Sequence, residues 1–247
     1  MALANAACAV SSFAAVALGF CCATTAGLLG QLDASLAALR VECVDIFYLH
    51  APDVNASLEE TLGAVQAAFT AGRFKRFALS NFTAWETVWI HGYMSKQGWV
   101  VPTIYQGMLN ALTRKATEEL LPALRRCGMA FYAYNPLAGG MLTGKHSRES
   151  MATQADGRFT AATPWGKIYR DRYMQEQQFA ALDLVLAALA SSPAGSAGTA
   201  ADGAKAASEA SAAPNPTIDP AEAALRWCMH HAGLDATHGD AVIVGAR

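Results

Sequence analysis

The apolar pattern of this chain changes period repeatedly, from short runs in which nearly every residue is apolar to stretches where apolar residues recur every three or four positions. That alternation constrains the fold more than any other feature, because it marks buried parallel strands joined by helices that cover them. Leu32, Leu36 and Leu39 lie on one helix face, and "VDIFYLH" follows as a buried strand. "SLEE" then supplies Ser57 and Glu60 as a capping box for a helix with Leu58, Leu62, Val65 and Phe69 on one stripe. Gly72 ends it, and "RFKRFALSN" is the next strand. The cycle repeats with Thr83 and Glu86 as a second capping box, a helix to Gln97, a stop at Gly98 and a strand in "PTIYQGMLN". A helix with Leu120, Leu121 and Leu124 stops at Gly128 before a fourth strand, "MAFYAYNPL". Asp219, Pro220 and Glu222 open a last helix to about His231, and "AVIVGAR" is the fifth strand. The pattern fits an open doubly wound sheet or part of a (β/α)8 barrel, and by itself does not choose between them.

With 247 residues and 53% of them hydrophobic, the chain can form one large domain or two small ones. Eighteen Lys and Arg stand against twenty Asp and Glu, a net charge of -2, with no basic run interleaved with aromatics, so nucleic acid is not an expected partner. Cys8, Cys21, Cys22, Cys43, Cys127 and Cys228 form no C-x-x-C pair and no Cys/His zinc spacing, so no metal is expected. Free thiols in a reducing, cytoplasmic compartment are the simple reading.

Two stretches break the pattern. The first 31 residues hold no Asp, Glu, Lys or Arg, yet they lack the positive start of a signal peptide, and their Ala, Ser, Thr and Gly would insert poorly in a bilayer. Residues 1–29 are therefore expected to be an apolar leader unrelated to a domain over 30–247, with organellar targeting as the alternative and no membrane partner. Residues 191–216, rich in Ala, Ser and Gly, are expected to be a low-complexity insertion forming a flexible loop between two helices.

In either fold, ligands gather beyond the C-terminal ends of the strands. Those ends carry His50, then Ser80 and Asn81, then Gln106 and Asn110, then Tyr134 and Asn135, then Gly245 to Arg247. One polar residue at a strand end reads as a cap or turn, whereas five successive ends suit a ligand bearing an amide or a phosphate.

"DIFYLHAPD", "LSNF", "YQGMLNALTR" and above all "YAYNPLAGGMLTGK", in this order and spacing, resemble the aldo-keto reductases, specifically the aflatoxin-aldehyde and succinic-semialdehyde reductase branch. The resemblance covers residues 30–189 and 217–247. It implies a (β/α)8 barrel, of which about five of the eight βα units are present, that reduces small-molecule aldehydes with NADPH; a homodimer is the candidate assembly. His50 then matches the histidine that hydrogen-bonds the substrate carbonyl, and Ser80, Asn81 and Gln106 match the groups on the nicotinamide carboxamide. Tyr134 matches the aromatic position against the nicotinamide ring. The loop with Asn135, Pro136, Leu137, Ala138, Gly139, Gly140, Leu142 and Lys145 looks like the one that wraps the pyrophosphate, with Arg158, Gly245 and Arg247 as further cofactor candidates. Trp165 and Arg172 match the pair that faces the substrate, the arginine suiting a carboxylate-bearing aldehyde; read alone, they are a loop anchor and a solvated helix charge.

In the family that this chain resembles, a tyrosine protonates the nascent alkoxide, its pKa lowered by a lysine paired to an aspartate, all from strands ahead of the one ending at the histidine. The first 31 residues hold none of the three. The resemblance therefore leads to an expectation of a domain shortened at both ends, with catalysis impaired. The alternative is an inactive member that binds a nucleotide or a partner.

Overall fold

The computed structural model describes residues 15–18, 25–149, 157–191 and 218–245. Its chain forms two compact units, one of residues 1–109, 114–134 and 233–247, the other of residues 110–113 and 135–232.

The first unit holds a parallel sheet whose strands lie side by side in chain order: β1 (Ala15–Leu18), β2 (Val44–Leu49), β3 (Phe74–Ser80), β4 (Pro102–Met108), β5 (Ala130–Tyr134) and β6 (Ala241–Val242). A doubly wound sheet reverses direction at a switch point, and this order never reverses, so the winding is that of a (β/α)8 barrel. The fold is α/β and corresponds to part of such a barrel. The intervening helices are α1 (Thr25–Leu39), α2 (Leu58–Thr70), α3 (Ala84–Lys96) and α4 (Leu120–Arg126).

Local chemistry accounts for these boundaries. Thr83 and Glu86 make a full capping box at the start of α3. At α2, Ser57 accepts from the Glu60 N–H, while its hydroxyl donates to Glu59 rather than completing a box with Glu60. Gly72 has a φ of 70°, a left-handed stop that lets the chain turn at once into β3. Leu28, Leu32 and Leu36 are the buried stripe of α1. Phe69, placed on the buried stripe of α2 by its spacing, is 36% exposed, with its ring tilted against Phe74 at 5.5 Å.

Three features depart from the sequence pattern. Residues 15–18, within the charge-free leader, pair in parallel with β2 at Ala15↔Ile46 through Leu18↔Leu49. Helix α1 begins at Thr25, ahead of residue 30. The last strand shrinks to Ala241–Val242, extended by one Ile243 N–H donated to the Ala133 carbonyl. The expected loop at 192–216 and the expected cofactor residue Arg247 lie outside the described residues.

The second unit contains α5 (Pro164–Tyr173), α6 (Glu176–Ser191) and α7 (Pro220–His230) beside a 3-10 turn at Ala138–Thr143. Asp219 caps α7 by accepting from Ala221 and Glu222 N–H, with Pro220 at the first helical position. No helix among the described residues is long and apolar enough to cross a membrane.

Candidate functional site

Side chains alternate along a strand, so one face of the first unit's sheet carries Ile46, Tyr48, Ala78, Ile104 and Ala130, with Tyr132 packed against them. The opposite face carries Phe47 and Phe77, stacked at 6.3 Å, and Tyr105 and Phe131, stacked at 6.0 Å. Counting on by two from the first set arrives at His50, Ser80, Gln106 and Tyr134, one at the C-terminal end of each of four adjacent strands. Register supports the grouping, since Ser80 pairs with Gln106 and Met108 with Tyr134. Ser80 is buried, and His50, Gln106 and Tyr134 are half-buried.

Asn81 ties these ends together. Its φ of 62° lies in the left-handed region that asparagine tolerates, which swings its side chain back over the strand ends. Nδ2 donates to the His50 carbonyl at 2.7 Å and to Ser80 Oγ at 3.0 Å, and Oδ1 accepts from the Tyr134 hydroxyl at 3.2 Å. A carbonyl can only accept, so the amide orientation is fixed, and both N–H donors of the side chain are engaged. What Asn81 still offers a ligand is the second lone pair of Oδ1. Burial lowers the pKa of His50, so its imidazole is neutral near pH 7.

In the second unit, Asn135 repeats the left-handed geometry at φ 62° directly after β5. Ala138, Gly139 and Gly140 follow with φ of 52°, 71° and 112°. Successive positive φ values turn backbone N–H groups toward a common side. Here those groups are internally bonded: Ala138 N–H to Asn135 O, Gly139 N–H to Asn135 Oδ1 at 2.7 Å, Gly140 and Leu142 N–H to Leu137 O. Gly139 is also sterically required, because a Cβ there would sit 2.7 Å from the Tyr169 ring. Pro136, Ala138 and Leu142 are buried, Leu137 is half-buried and Lys145 is exposed.

The remaining candidates are more scattered. Arg158 donates to the Tyr169 hydroxyl at 3.1 Å. Trp165, 47% exposed, and Arg172, also exposed, are seven residues apart on α5 and so share one helix face. Gly245 is exposed beyond β6. Two further residues belong with the loop. Asn110, noticed only as a strand-end residue, is fully buried and bonds Tyr173, which no motif pointed to. No local pattern in the sequence signals that contact, which joins residues 63 positions apart.

A model of the aldo/keto reductase family matches residues 21–247. Human (Homo sapiens) aflatoxin B1 aldehyde reductase member 4 is 45% identical over 216 residues, which cover 87% of this chain and 59% of that protein. Aflatoxin B1 aldehyde reductase member 2 of Rattus norvegicus is 44% identical over 216 residues, 87% of this chain and 53% of its own length. Aldo-keto reductase pigE of Monascus ruber is 33% identical over 217 residues, 87% of this chain and 56% of its own. The chain thus spans about half to three-fifths of the length of these relatives. The barrel winding, the polar strand ends on one face and a match over nearly the whole chain agree, and the chain belongs to the aldo/keto reductase family.

Proposed function

We propose that this chain is an NADPH-binding protein of aldehyde-reductase type, and that the 247 residues by themselves bind the cofactor better than they turn over. The observation that carries the reading is the set of polar strand ends, His50, Ser80, Gln106 and Tyr134, on one sheet face with Asn81 bonded across three of them. Their chemistry suits a carboxamide, which carries both a donor and an acceptor: the free Oδ1 lone pair of Asn81 can accept its N–H, and Ser80 and Gln106 can donate to its oxygen. Tyr134 offers a ring face for the nicotinamide. Asn135 to Lys145, with Arg158, Gly245 and Arg247, are the groups proposed for the phosphates and the rest of the cofactor.

When bound, NADPH supplies the hydride. His50, neutral because burial depresses its pKa, donates a hydrogen bond to the substrate carbonyl oxygen and polarises it. Trp165 and Arg172 are the residues proposed, from the family resemblance, for the rest of the aldehyde, a guanidinium being suited to a carboxylate where the substrate has one. A relative named for the aflatoxin B1 aldehyde supports an aldehyde as the substrate class. The first tyrosine among these residues is Tyr48 and the first lysine Lys75, so those ahead of β2 contribute no Tyr/Lys pair as proton donor. Turnover by these residues is therefore expected to fall about 10²–10⁴-fold below that of an enzyme with a positioned general acid. Free thiols at Cys43, Cys127 and Cys228 fit a reducing compartment such as the cytoplasm.

The test is a titration of tryptophan fluorescence with NADPH, with NADH for comparison, followed by an aldehyde turnover assay on the same sample. Saturable NADPH binding with slow turnover is the expected result. A folded chain that binds neither nucleotide would overturn the reading.

A further inference from the structure

Tyr173 is fully buried on α5, and its phenol is where two asparagines meet. Asn110, also fully buried, accepts backbone N–H groups from Leu112 at 3.0 Å and Thr113 at 2.9 Å on its Oδ1. An N–H can only donate, so Nδ2 must face the other way, where it donates to the Tyr173 hydroxyl at 3.2 Å and the Asn135 carbonyl at 3.1 Å. The same logic fixes Asn135: its Oδ1 takes the Gly139 N–H at 2.7 Å, and its Nδ2 donates to the Tyr173 hydroxyl at 2.7 Å. One continuous chain therefore runs from Asn110 through Tyr173 and Asn135 to the Gly139 amide. It ends inside the run of three positive φ values, where Ala138 at 52° is the one residue whose strain is not relieved by being glycine.

We propose that Tyr173, backed by Asn110, is the positioning residue of the 138–143 turn: by holding the Asn135 carboxamide it presets the turn and keeps Oδ1 on the Gly139 N–H until an anionic oxygen replaces it. The ordering of the turn stands on the geometry alone, whereas its effect on affinity rests on the reading of this loop as the phosphate-binding one. Asn135 Oδ1 is the stand-in for the anion, and the tyrosine acts through it without touching a ligand.

Residue-resolved amide exchange on the full chain without nucleotide is the experiment, with an NADPH titration on the same samples. Tyr173→Phe keeps the buried ring and removes the hydroxyl; Asn135→Gly keeps the left-handed backbone and removes the carboxamide. Both should speed exchange at Gly139 roughly fivefold, the effect of losing one hydrogen bond, while Leu79 in β3 is unchanged. NADPH affinity should weaken by a similar factor. If Tyr173→Phe fails to fold, Asn135→Gly carries the test. Unchanged exchange at Gly139 in a folded variant overturns the positioning role, and faster exchange with unchanged affinity overturns the coupling to the ligand. Wild-type protein that binds no NADPH refutes the phosphate assignment, and exchange at Gly139 still decides the role of Tyr173.

Discussion

Burial rather than a neighbouring charge sets the ionisation of His50, and this has a pH consequence of definite sign. Folding lowers its pKa, so between the folded value and the ordinary 6.5, about where a solvated histidine titrates, the unfolded chain binds the proton more readily. The resulting loss of stability is absent above that window and complete below it; His146, lowered for the same reason, adds in the same direction. Urea midpoints should therefore fall between pH 7 and pH 5, and fall less in His50→Gln; equal pH slopes for the two proteins would contradict the assignment. Gly107 makes a second case at this scale. A Cβ there would lie 2.6 Å from the Phe131 ring, which is itself stacked on Tyr105 and cannot retreat without breaking that pair. Gly107→Ala should cost about 1–2 kcal/mol in urea unfolding, because overpacking in a strand core outweighs the small backbone gain of leaving glycine.

Two residues of strand would not hold an element to the sheet by ladder hydrogen bonds alone, and β6 is held instead by the side chain just before it. Asp240, whose side chain is 1% exposed, pairs with Arg125 of α4 and also accepts from the Phe131 N–H at 2.7 Å and the Asp235 N–H at 2.8 Å. Asp240→Ala leaves Arg125, its side chain 21% exposed, without its ion pair and two amides without their acceptor, at a cost of about 3 kcal/mol. The matching observation is loss of exchange protection at Ile243, whose N–H bonds Ala133; full protection in the variant would show that β6 docks without the clamp. The same element explains what could be read from sequence. Strands β2 to β5 announce themselves as apolar runs, β3 to β5 each after a glycine stop, and the polar residues at their ends follow by counting in twos. "AVIVGAR" has the same composition, yet among its described residues only Ala241 and Val242 are strand, paired with Tyr132 and Ala133. Tyr173, and the bond it makes to Asn110, could not be read from the sequence. Their meaning lies in a contact spanning 63 residues, and no local period encodes it.

At the scale of the molecule, a parallel sheet with strands in chain order commits ligand-binding residues to one end, whatever length of the barrel is present. That separates two properties that usually travel together. Groups proposed for the cofactor lie on β2 to β5, in the segment after β5 and beyond β6, whereas those of the 247 residues ahead of β2 include no tyrosine or lysine. On the proposed reading, nucleotide binding by these residues should be measurable even where their turnover is slow. A nucleotide that binds only the folded chain stabilises it by RT ln(1 + [L]/Kd), about 2.7 kcal/mol at a hundredfold excess over Kd. For a chain of 247 residues that corresponds to a rise in Tm of roughly 5–10 °C. NADPH should give this rise with aldehyde absent, and Asn81→Ala, which removes the bonds to the His50 carbonyl and from the Tyr134 hydroxyl together, should reduce it without abolishing the cooperative melt. A full shift in Asn81→Ala would remove that side chain from the cofactor site. No shift in the wild type, with a cooperative melt retained, would mean that the strand-end residues serve the sheet and not a nucleotide.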